Sequence, residues 1–190
     1  IESGHEVSVA TMSHEKDLPN VEKINDVIVR RFPAFGPRAY RVPIGLFRYL
    51  SREASRFDVI HAHNYGAIPL LLAVLAGWQR TVITPHYHGH GRSQVADLLH
   101  KVYDPVAIPV IRRSGGVICV STGEADLVAQ RLGIAKNNIV VIPNAITLSG
   151  AIGCDGLVDK REHLILSVGR LDAYKRIDRV IRSLPYLEKE

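Results

Sequence analysis

The sequence is poor in cysteine and has no long apolar run. Two cysteines, Cys119 and Cys154, stand among 190 residues, too few for a disulfide framework. Cys119 lies in the apolar run Val117-Ile118-Cys119-Val120 and reads as a small buried hydrophobe. A reducing compartment fits this usage. No apolar run nears the roughly 20 residues that a membrane-spanning helix requires, and the longest, residues 67–78, falls short. A G-x-S-x-G elbow, a Walker A loop and a dinucleotide-binding glycine fingerprint are all missing. Their absence disfavours a serine hydrolase, a P-loop ATPase and a typical Rossmann dehydrogenase. The chain opens at Ile1 without a signal-peptide pattern and closes on Glu188-Lys189-Glu190, inside a helical pattern. It is expected to be a fragment.

What is present is an ordinary globular composition with an uneven charge. Hydrophobic residues make up 46%, enough to bury one core, or one core and part of a second. The formal charge is +5, and residues 30–56 hold seven arginines (30, 31, 38, 41, 48, 52 and 56) against one acid, Glu53. Such a stretch favours anionic partners: lipid headgroups, phosphates or nucleic acid. A solvated helix face explains it as well.

Short β-branched runs alternate with helix-length segments, the mark of a parallel sheet with crossover helices. Strands are expected at 6–11, 26–29, 58–61, 81–84, 116–120 and 138–142. Helices are expected at 43–56, 66–76, 93–113 and 124–132, and Pro105 and Pro109 should kink or break the third. Ser121-x-x-Glu124 reads as a capping box and Gly133 as a helix stop. The fold class is α/β. A Rossmann-like domain is expected over 1–146, a linker over 147–162 and a second α/β unit over 163–190, opening with a strand at 163–168.

In open parallel sheets, ligands bind beyond the carboxyl ends of the strands. The residues expected there are His61-Ala62-His63-Asn64, the loop Pro85-His86-Tyr87-His88-Gly89-His90-Gly91, Ser121-Thr122-Gly123-Glu124, Pro143-Asn144 and Gly169-Arg170. A neutral imidazole in such a loop can bond a sugar hydroxyl or move a proton. Gly169, Arg170 and Lys175 combine a close backbone approach, a planar cationic fork and a point charge near a helix start. Together they can neutralise a diphosphate leaving group. An ordinary strand–turn–helix with solvated charges accommodates the same residues. His61, His63, His86 and His88 also have spacings seen in metal sites, so a metal-dependent hydrolase stands as an alternative. Ser121 caps a helix whose N-terminus can also meet a phosphate or an acceptor.

Five stretches, in order, resemble the large retaining glycosyltransferase family four. They are Gly4-His5-Glu6-Val7, Asp58-Val59-Ile60-His61-Ala62-His63, Val82-Ile83-Thr84-Pro85-His86, the pair Val117-Ile118-Cys119-Val120-Ser121 and Val140-Val141-Ile142-Pro143-Asn144, and Val168-Gly169-Arg170-Leu171 with Lys175. The resemblance implies a two-domain GT-B fold with its active site in a cleft. It implies transfer from a nucleotide-activated sugar with retention of configuration, within glycan biosynthesis. Residues at the positions of Arg170 and Lys175 would bind the donor diphosphate, with Gly169 beside them, and His86 would contact the transferred sugar. His63, Asn64, His88, Gly89, Ser121 and Asn144 are candidates for sugar or acceptor binding. No cofactor and no metal is expected, and no nucleic acid. The expected location is the cytoplasm, with peripheral attachment at the inner membrane face through residues 30–56. The family's first strand with its glycine-rich loop would precede Ile1, and its E-x7-E motif would follow Glu190. Arg176 and Ala145 stand where the family often has glycine. The fragment alone is expected to be inactive. A non-catalytic sugar-nucleotide or lipid-surface binding module is the other alternative.

Overall fold

The computed structural model describes residues 4–13, 15, 17–36, 41–89, 94–146, 165–172 and 175–187, with the backbone alone for 94–97 and 99. The chain divides into two units, Ile1–Asn144 and Ala145–Glu190.

The first unit holds two sheets where one parallel sheet was expected. In the first, β1 (Ser8–Ser13), β3 (Val27–Phe35) and β2 (Val21–Ile24) lie in the order β1-β3-β2, with β4 (Val42–Pro43) also on β3. β1 runs parallel to β3, but β2 and β4 run antiparallel to it. The reason is the turn at Asn25 and Asp26, both left-handed with φ of 47° and 66°. Two consecutive positive φ values make the tight turn that suits a twisted hairpin, and short polar side chains tolerate them. The strand expected at 26–29 therefore starts one residue later, beyond the turn, and runs on to Phe35.

The second sheet is parallel throughout, in the order β5 (Ile60–His63), β6 (Thr81–Thr84), β7 (Gly116–Cys119), β8 (Ile139–Val141). With its flanking helices this is the Rossmann-like layer that the alternation implied. α1 (Leu46–Glu53) packs on α2 (Ile68–Gly77), which packs on β5 and on α3 (Gln94–Ile111). α2 is apolar nearly all round, so it is buried, with Leu70, Leu71, Ala73 and Val74 in the core. These meet Ile83 and Val117 from the sheet, Ala107 and Ile111 from α3, and Val128 and Leu132. Thr81 is also buried, and its hydroxyl donates to the carbonyls of Ala73 and Gly77 at the end of α2.

α3 is not broken at Pro105 or Pro109. Lys101, Pro105 and Pro109 are spaced four apart, and all three are exposed. The carbonyls that lose a donor thus face water, which can hydrate them. α4 (Thr122–Leu127) starts as the capping box predicts, the Ser121 hydroxyl accepting from the Glu124 N–H at 3.1 Å. It continues through a wider turn over Val128–Leu132 and stops at Gly133, with φ 62°. Arg112 Nε donates to the Leu132 carbonyl at 2.6 Å and satisfies that helix end.

In the second unit, the helix expected to start near Lys175 forms as α5 (Ile177–Leu187). The strand expected at 163–168 is not formed over its described part, 165–168. A strand exists through its ladder partner, and the described residues of this unit supply none. Arg176 is left-handed, with φ 53°, a conformation that suits the glycine often found there in the resembled family. The expected linker, 147–162, lies outside the described residues.

Candidate functional site

The carboxyl ends of β5 and β6 carry the histidines. The sequence placed His61 and His63 just after a strand, but β5 starts at Ile60, so both lie within it. The parallel register, Ile60 on Thr81 and His63 on Thr84, sets that start. Side chains two apart in a strand share a face. His61 and His63 accordingly lie side by side, their rings tilted by 37° with centroids 4.1 Å apart, while Ala62 turns into the core. His61 Nε2 shares a hydrogen bond of 2.7 Å with the buried Thr84 hydroxyl. His63 Nδ1 stands 3.5 Å from His86 Nε2, and the two rings lie stacked at 5.7 Å.

The backbone around these rings is unusual. Asn64 and His86 both have positive φ, 75° and 48°. Main-chain bonds stitch the two loops together: Asn64 N–H donates to Thr84 O at 2.9 Å, and Tyr65 N–H to Pro85 O at 2.7 Å. Non-glycine residues in this region are sparse and concentrate at binding sites. Gly89 is likewise left-handed, φ 79°, and a Cβ added there would meet Leu127 of α4 at an ordinary contact distance of 3.6 Å.

Partial burial, and then the neighbouring His86, lower the His61 pKa. Burial lowers that of His63 too, followed by the charges of His61 and His86. Both imidazoles are therefore held neutral at neutral pH, the form that can both donate and accept a hydrogen bond. Cys119 is fully buried, and burial, aided by Glu124, pushes its thiol up to about 11. It is an inert core residue.

Three supports escaped the sequence reading. Glu124 was expected only to cap α4, yet its carboxylate accepts from the N–H of Tyr87 and from that of Val120, each at 2.7 Å. Beneath the loops, the Tyr65 hydroxyl donates to Asp104 at 2.8 Å, and Tyr65 meets Tyr87 edge-on at 4.9 Å. His100 stacks on Tyr65 and lies beside Asp104. The signal available was adjacency: Tyr65 and Tyr87 each follow one of the left-handed residues.

The structure thus gathers His61, His63, Asn64 and His86 at one edge, and joins Ser121 and Glu124 to it through Tyr87. Asn144 and His88 are exposed, and His90 lies outside the described residues. Among the described residues, no three His, Cys, Asp or Glu side chains form a group that could hold a metal ion. His61, His63, His86 and His88 therefore make no such donor set. Gly169, Arg170 and Lys175 belong to the second unit. There Arg170 Nε lies 3.3 Å from Asp172 Oδ2, and the Lys175 N–H donates to the Asp172 carbonyl at 2.9 Å.

Comparison with known proteins adds a family. Residues 1–149, more than half of the chain, match the family model described as Glycosyltransferase Family 4. No curated protein matches the chain.

Proposed function

The chain belongs to glycosyltransferase family 4, and on that premise we propose that it serves transfer of a sugar from a nucleoside-diphosphate donor to an acceptor hydroxyl, with retention of configuration. In this reading residues 1–146 form the acceptor-side domain, 147–162 the linker, and 163–190 part of the nucleotide-sugar-binding domain. The bond from the anomeric carbon to the phosphate oxygen breaks, and the diphosphate leaves with its electron pair. The acceptor oxygen attacks from the same face, and its proton departs with the diphosphate. Arg170 and Lys175 stabilise the developing oxyanion, so no metal or cofactor takes part. His86 bonds the transferred sugar. His63, Asn64, His88, Gly89, Ser121 and Asn144 are the further candidates for sugar or acceptor contacts.

The observation that carries this reading is the pair His61 and His63 in β5, whose pKa values burial lowers, set next to His86 in its left-handed conformation beyond β6. Such a group offers directional polar contacts without a fixed charge, which suits hydroxyl-rich ligands. The test is nucleoside diphosphate release by the full-length protein across a panel of nucleotide sugars and acceptors. Acceptor-dependent release, chelator-insensitive and with the anomeric configuration retained by NMR, is expected. Donor binding without any transfer would leave a binding module instead.

The acceptor is proposed to lie at the cytoplasmic membrane face. No helix among the described residues is long and apolar enough to cross a membrane. The Arg-rich segment is less available than its composition suggests. Arg31 pairs with Glu22, Arg56 pairs with Glu53, and Arg30 covers the Tyr49 ring. Arg38 lies outside the described residues. The outer face of α1 keeps Arg48 and Arg52 exposed beside Phe47, which suits peripheral contact with anionic lipid.

A further inference from the structure

The histidine loop has a support that its own sequence does not contain. Among the described residues, Glu124 is the one charged side chain that is buried, with 6% exposure. A capping-box glutamate would reach back to the N–H of its N-cap, here Ser121. This carboxylate instead accepts from Val120, one residue earlier, and from Tyr87, 37 residues away along the chain. A buried carboxylate is costly unless bonded, and charge-assisted bonds to N–H groups are strong.

His86 sits between two pinned peptide planes. On its amino side, the Pro85 carbonyl accepts from Tyr65 N–H at 2.7 Å. On its carboxyl side, the Tyr87 N–H donates to Glu124 Oε1, also at 2.7 Å. Fixing the planes on both sides fixes the φ and ψ between them. That accounts for a φ of 48° at a non-glycine residue, a conformation that persists only where its surroundings over-determine it.

We infer that Glu124 is a positioning residue: its buried carboxylate, bonded to the Tyr87 and Val120 N–H groups, ties α4 and the end of β7 to the loop after β6 and holds His86 at the ligand edge. The role rests on the reading that His86 faces the transferred sugar; the tie itself does not. Glutamine cannot replace it, because its one acceptor oxygen serves one N–H and its amide group then confronts the other.

The test is amide hydrogen exchange of the full-length protein by NMR, read together with the His86 ring signals. In the wild type, Tyr87 N–H is expected to be protected as strongly as the β6 amides. Glu124→Gln is expected to accelerate its exchange by about tenfold or more and to shift the His86 ring resonances. Leu132→Ala, a core truncation at the far end of the same helical segment, supplies the control for general destabilisation: it accelerates the Tyr87 and β6 amides together and leaves the His86 ring signals near wild type. An unprotected Tyr87 amide in the wild type overturns the inference, even if no variant folds. So does a Glu124→Gln protein whose Tyr87 amide is accelerated, relative to the β6 amides, no more than in Leu132→Ala. Glu124→Asp, which keeps the charge but withdraws it by one methylene, is read by the same criterion should the glutamine variant not fold. Because no donor is needed, a positioned but inactive chain would count against the transferase reading alone, and an active chain without the tie against this inference alone.

Discussion

His63 and His86 lie 23 residues apart in sequence, yet their ring nitrogens Nδ1 and Nε2 face each other at 3.5 Å. The parallel register brings this about, setting His63 opposite Thr84 and leaving His86 two residues further on. Two like rings so close cannot both be protonated without repulsion.

A pH dependence follows, and its sign is fixed by the direction of the shifts. His61 and His63 have pKa values lowered from 6.5. Below 6.5 the unfolded chain therefore takes up protons that the folded chain resists, and stability falls as pH falls. Above about pH 6.5 both states are neutral and this contribution levels off. Thermal unfolding at stepped pH is expected to show a lower Tm on the acid side. The double variant His61→Gln/His63→Gln should flatten that slope; an unchanged slope would mean that these rings are not desolvated.

Arg170→Ala and Lys175→Ala are each expected to lower kcat of the full-length protein by on the order of a hundredfold or more, the cost of removing one donor to a developing oxyanion. Arg170 is well exposed, and no residue of α5 is buried, so Tm should stay within a degree or two. Turnover that survives both substitutions removes the diphosphate role.

His86→Ala should reduce kcat/KM about tenfold, the worth of one hydrogen bond to a sugar hydroxyl. His88→Ala should have the smaller effect. If His88→Ala alone lowers transfer, the loop presents the other imidazole to the sugar.

Gly115 leads into β7, and a Cβ added there would sit 2.6 Å from the Gln79 carbonyl oxygen. Backbone on both sides leaves little room to yield. Gly115→Ala is expected to destabilise the protein by about 1–3 kcal/mol, as overpacking does, measured by urea unfolding. A neutral result would mean that the strand end can shift.

Arg48→Glu/Arg52→Glu reverses the exposed charge of α1 while leaving its buried Leu46 and Leu50 in place. Sedimentation with vesicles holding anionic lipid, at ~0.15 M salt where surface attraction is already screened, should show wild-type binding and its loss in the variant. No wild-type binding under these conditions sinks the membrane proposal.

Much of the parallel sheet was legible in the sequence because its middle strands, β6 and β7, are well covered and centre on Val and Ile. The hairpin β2–β3 was not. Its strands are half-exposed and mixed in composition, and its one strong sign, Asn25-Asp26, is a weaker turn marker than Asn-Gly. The prolines of α3 show a related limit: whether Pro105 breaks a helix depends on which way the freed carbonyl faces. Of the candidate site, the residue types near the strand ends were readable, since Pro85 marks the end of β6, but histidine gave no such stop: His61 and His63 lie inside β5.

The sequence by itself determined that this is an α/β chain of family four type, with histidines gathered at the ends of two strands and cations before a later helix. Those facts are local: periodicity, punctuation and motif order are carried by residues near one another along the chain. Only the tertiary structure decided that His61 and His63 lie close to His86, that burial lowers the pKa values of the first two, and that Glu124 serves the histidine loop rather than its own helix alone. Those facts depend on register and burial, which arise when distant segments pack and exclude water from between them.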